Sequence, residues 1–134
     1  MSAIEIKNED LYRIFLIIWL IGGVLTLIFQ LFLTQIVADS SLWELSLGWQ
    51  HEIGLWAGGI IFAILFALIQ NNVEINKYLM MVLMVLSGIL GSYNLYSLIT
   101  MESFELMNFF WILGNYVMVG LGVYILYMNR VESY

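Results

Sequence analysis

The stretch Leu11–Val37 reads LYRIFLIIWLIGGVLTLIFQLFLTQIV and carries a single charge, Arg13. A helix rises about 1.5 Å per residue, so this run reaches across the ~30 Å hydrocarbon core of a bilayer. It predicts a transmembrane helix. The apolar part is about twice the 7–15 residues of a cleaved signal sequence, and its leader Ser2–Asp10 is more acidic than basic, so the helix is expected to be retained.

Outward from that run the pattern repeats three times, in Leu47–Ile69, Tyr78–Ile99 and Leu106–Met128, with short polar breaks between. The expected spans are therefore 11–37, 47–69, 78–99 and 106–128, forming one domain over residues 1–134. The connections are about 9, 8 and 6 residues, too short to join helices that are not neighbours. The fold class read from this is all-α, an integral membrane four-helix bundle running up-down-up-down. Composition agrees, with 63% hydrophobic and 10% charged residues against roughly 25% charged in an ordinary soluble domain. Lipid is then the first partner. Proline is absent, so bends would have to come from glycine. Cysteine is absent too, which removes disulfides, thiolate nucleophiles and iron–sulfur clusters.

The four basic residues set the expected orientation. Lys7, Arg13, Lys77 and Arg130 all fall on the side shared by both termini and the middle loop. The opposite side carries Asp39, Glu44, Glu102 and Glu105 and no Lys or Arg. Basic residues concentrate on the cytoplasmic side, so both termini are expected there, in a multi-pass protein of the plasma membrane. Trp43, Trp49, Tyr96 and Trp111 would then form the outer aromatic belt, and Tyr12, Tyr78, Tyr124 and Tyr127 the inner one.

In lipid, helices associate by close packing of small residues, because the hydrophobic effect no longer drives them together. The second span has Gly54, Gly58 and Gly59, and the third has Gly88 and Gly91; these are the expected packing positions. Polar residues also fall on single faces: Gly23, Thr26, Gln30 and Thr34 on the first span, Ser87, Gly91 and Asn94 on the third, and Asn108, Asn115 and Gly122 on the fourth. Gln50, His51 and Glu52 open the second. Hydrocarbon cannot satisfy such groups, so the faces are expected to turn inward and meet in the outer half of the bundle. The candidate ligand-binding residues are Glu52, His51, Gln50, Gln30, Asn94 and Asn115. A carboxylate within a span is costly and marks function by default, although Glu52 lies close to the surface. For Gln30 and Asn115 the plainer reading is interhelical hydrogen bonding, worth about 0.6 kcal/mol each.

The segment Leu47-Gly48-Trp49-Gln50-His51-Glu52-Ile53-Gly54 resembles a signature of small four-helix bacterial membrane proteins related to the DoxX-like group, in which a Gly-Trp pair precedes a Gln-x-Glu-x-Gly run. Gln50, Glu52 and Gly54 match the latter, and Gly48-Trp49 match the former without the intervening residues. The resemblance implies a four-span layout and marks Gln50 and Glu52 as important polar positions.

Three functions compete. The first is an interaction or accessory subunit that packs through glycine-rich faces, as a homo-oligomer or beside another membrane protein. The alternative is a small-molecule or ion binder or transporter using an outer-half polar pocket around Glu52, although no internal repeat or broken-helix pair of the transporter kind is visible. The third is an enzyme, the least supported class. One His with one nearby Glu falls short of a three-ligand catalytic zinc site, and bis-histidine haem ligation is impossible within the chain. No metal, cofactor, catalytic residue or nucleic-acid partner is therefore expected.

Overall fold

A computed structural model describes residues 8–39, 46–100 and 106–131; Lys7, Trp43, Glu44, Glu102 and Glu105 lie outside them. The helices are α1 (Asn8–Phe32), α2 (Thr34–Asp39), α3 (Leu47–Gln70), α4 (Val73–Thr100) and α5 (Leu106–Val131), with no strand among the described residues. Four of them are long and apolar enough to cross a membrane, over Glu9–Phe32, Leu47–Gln70, Val73–Thr100 and Asn108–Arg130. Such runs favour helix because every backbone N–H and C=O pairs within the segment. Charge at the ends agrees with the helix dipole, with Glu9 and Asp10 in the first turn of α1 and Arg130 in the last turn of α5.

Helix ends extend the expected spans by up to three residues at Asn8 and Val131, and two boundaries differ in kind from the sequence reading. The first run is interrupted at Leu33, after which α2 continues and buries Ala38. The interruption is mild, since Leu33 N–H still donates to the Phe29 carbonyl at 3.0 Å and Val37 N–H to that of Leu33 at 3.3 Å. The second difference is larger. α4 begins at Val73 rather than Tyr78, so the middle connection shrinks to Asn71-Asn72. Asn71 ends α3 in the left-handed region at φ 50°, which asparagine tolerates better than other side-chain-bearing residues. Asn72 starts α4: its Oδ1 accepts the Glu74 N–H at 2.9 Å and that of Ile75 at 3.1 Å, capping two free donors of the first turn. Polarity made this segment look like a loop, but two adjacent caps allow the helices to follow each other directly.

α1 pairs with α3 and α4 pairs with α5; α1 also lies against α4 and α5, whereas α3 meets α4 only lightly. The apolar core draws Tyr12, Phe15 and Leu16 from the start of α1, Ile64 and Ala67 from the end of α3, Met80 and Leu83 from the start of α4, and Ile125 from the end of α5. We call this the terminal end of the bundle. Tyr12 therefore sits in the core at 3% exposure and not in an aromatic belt, while Tyr78, Tyr124 and Tyr127 remain outward. At the opposite, loop end the buried set is mostly small or polar, namely Ala38, Gln50, Gly54, Ala57, Gly91, Ser97 and Asn108, with Ile112 as its large apolar member. Large apolar side chains thus concentrate at the terminal end, where Asn76 is also buried, while Gln50, Ser97 and Asn108 are the buried polar side chains of the loop end.

Candidate functional site at the loop end

Three consecutive residues open the site and the helix divides them. Successive positions turn by about 100°, so Gln50, His51 and Glu52 fan across more than half the circumference and only one can face α1. That residue is Gln50, at 4% exposure, whose Nε2 donates to the Thr34 carbonyl at 3.0 Å. His51 and Glu52 are exposed on the far side of α3. Glu52 lines a shallow outward groove with Leu55, Trp56 and Gly59.

Gln30 approaches the same α1–α3 seam. A Cβ added to Gly54 would lie 3.3 Å from Gln30 Cβ and only 2.8 Å from Leu31 Cδ2, so the two helices touch through the missing side chain. Gln30 Oε1 and Gln50 Oε1 are both buried without a protein donor. Leaving an amide oxygen so placed costs roughly 1–3 kcal/mol, so this seam holds polar groups that packing alone does not satisfy.

Asn115 belongs to a second seam, between α4 and α5. Its Nδ2 donates to the Trp111 carbonyl at 2.8 Å, one turn back on its own helix, and its Cβ would lie 3.1 Å from a Cβ at Gly91. Asn94 is half-buried on α4, and Tyr116 Oη lies 3.5 Å from Ser92 Oγ. The two seams are linked edge-to-face by Phe29 and Trp111, whose ring centroids are 6.4 Å apart at 87°. The six candidate residues therefore separate into three settings. Gln30 and Gln50 share the α1–α3 seam, Asn94 and Asn115 belong to α4 and α5, and His51 and Glu52 face outward.

The glycines divide in the same way. Gly54 and Gly91 are close-approach positions, whereas Gly58 and Gly88 would place a Cβ in ordinary contact, 3.9 Å from Leu27 Cδ1 and 3.8 Å from Val119 Cγ2. Gly59 meets nothing within 4 Å. Two further close approaches come from glycines outside that set: Gly23, 3.2 Å from Ile61 Cγ1, and Gly122, 2.8 Å from Met84 Sδ. Their membership of the polar faces with Gln30 and Asn115 was the available signal. Asn76, 2% exposed and with Oδ1 lacking a protein donor, was hidden by the polar segment around it.

Among the described residues, no three His, Cys, Asp or Glu side chains gather where one ion could be held. Comparison with family models, curated proteins and solved structures gave no match.

Proposed function

We propose that the chain is a multi-pass plasma-membrane protein that acts as an interaction or accessory subunit, packing beside another membrane protein. In this reading it inserts as an up-down-up-down bundle with both termini cytoplasmic. Four helices of spanning length support insertion, and the mixing of helix starts and ends in one core supports the alternation. Arg13, Lys77 and Arg130 all lie toward the terminal end, which supports the orientation. The DoxX-like resemblance remains part of the proposal only for Gln50 and Glu52.

One observation carries the functional reading: α3 is covered by α1 on one side and open on the other. Gly59 and Ala63, one turn apart, lie on that open side, where small residues give a neighbouring helix room for close approach. A binding pocket around Glu52 draws no comparable support, because Glu52 and His51 turn away from Gln30 and Asn115.

The test is mild extraction of the tagged chain at its native expression level, followed by identification of proteins recovered in fixed ratio. A reproducible membrane partner is the expected result. Recovery of the chain alone, under extraction that preserves known complexes of the same membrane, would sink the accessory-subunit reading.

A further inference from the structure

The open face of α3 combines features that together specify the chemistry of its occupant. Glu52 lies five residues into α3, about 8 Å along the axis. Leu55 and Trp56, each 71% exposed, flank it on its inward side, and Gly59 and then Ala63 continue the face. A carboxylate bordered by apolar side chains on a lipid-facing helix gains most from a cation delivered at its own depth. The small residues beyond it remove the obstacle to a second helix lying along the same line.

A second copy of the chain brings no Lys or Arg to that depth, only His51. At the loop end the described charges are Asp39 and Glu52, while Arg13, Lys77 and Arg130 lie toward the other end. A parallel copy would set Glu52 against an acidic rim. An antiparallel copy would have to invert the basic bias that orients the chain.

We propose that the Glu52–Gly59–Ala63 face docks a transmembrane helix of a different protein, carrying a Lys or Arg about one and a half turns from its end and small residues opposite Gly59. The inference rests on the accessory-subunit reading and adds the partner's chemistry and the face it uses. Lys and Arg suit the role because their long stems lie along apolar surface while the charged head reaches the carboxylate.

The chain contains no cysteine, so Gly59→Cys introduces a single reporter at a position with open space around it. The full-length variant is reconstituted in phosphatidylcholine vesicles with designed transmembrane helices that carry one cysteine, a small-residue face, and Lys, Leu or Glu at the depth of Glu52. Copper-phenanthroline then oxidises facing thiols to disulfides. The Lys helix is expected to cross-link about fivefold more than the Leu helix, with the Glu helix lowest, and Glu52→Gln is expected to abolish the preference. Equal cross-linking of the three helices, or a preference that survives Glu52→Gln, overturns the proposal. Dominant self-cross-linking of the chain overturns it in favour of a second copy. Loss of the preference when phosphatidylethanolamine is added assigns Glu52 to a lipid amine and overturns it as well. If a natural partner is recovered but contacts a face other than that of Gly59, the accessory reading stands and this inference fails.

Discussion

The indole Nε1 of Trp19 donates to Oγ of Ser87 at 3.0 Å, tying α1 to α4 across 68 residues of sequence. Ser87 is fully buried, so the bond joins the two helix pairs from within. Serine in an apolar helix often bonds its own backbone, as Thr26 does here to the Gly22 carbonyl at 2.9 Å. Ser87 Oγ instead accepts a hydrogen bond from another helix.

Trp19→Phe and Ser87→Ala should therefore be non-additive. Each should cost up to about 1–2 kcal/mol, with a coupling near 0.6 kcal/mol, the usual size of an interhelical bond in a membrane protein. Reversible unfolding in mixed detergent micelles, run as a double-mutant cycle, measures this. Strict additivity would show that the bond adds nothing beyond packing.

Among the glycines, Gly54→Ala should already destabilise, by about 1–3 kcal/mol, because the added carbon lands on Leu31. Gly91→Ala should follow through its contact with Asn115. Gly59→Ala should leave the isolated chain as stable or up to about 1 kcal/mol more stable, since no atom stands within reach and alanine favours the helix over glycine. Thermal unfolding of the three variants gives the ranking. A Gly59→Ala variant as unstable as Gly54→Ala would mean that something within the bundle covers α3.

At the α3–α4 junction, Asn72→Ala removes the acceptor for two backbone N–H groups and should cost about 1 kcal/mol. Asn71→Val places a β-branched residue at positive φ and should cost a similar amount, whereas Asn71→Gly should be neutral or better. Amide exchange over the first turn of α4 distinguishes the two sites: protection there should fall most for Asn72→Ala.

Gln50 offers a polarity test. Gln50→Leu removes both the bond to the Thr34 carbonyl and the unsatisfied Oε1, so it should be tolerated within about 1 kcal/mol. Gln50→Glu replaces the donating nitrogen by an acceptor facing a carbonyl and should be clearly worse. If Gln50→Leu is the more damaging of the two, Gln50 Oε1 has a partner that matters, and the α1–α3 seam becomes a binding site.

Topology is tested by reporter fusions after Tyr134 and between Ala38 and Ser46, which should report opposite compartments, with the C-terminal fusion cytoplasmic. Finding both on one side would refute the four-span arrangement.

The number of long helices was readable in the sequence because it depends on run length and apolar content alone. The inward faces were also readable. Gly23 with Gln30, Ser87 with Gly91, and Asn108 with Gly122 follow the helix period, which backbone geometry imposes before any packing occurs. Tertiary structure decided the rest. It determined that Gln50 faces α1 while Glu52 faces outward, that Gly54 is a contact and Gly59 is open space, and that Trp19 finds Ser87. These outcomes depend on which helix lies against which. On α3 the covered and uncovered faces are nearly alike in hydrophobicity, so composition could not distinguish its partnered side from its free one. Only the fit of particular side chains, Leu31 and Gln30 filling the space above Gly54, made that choice.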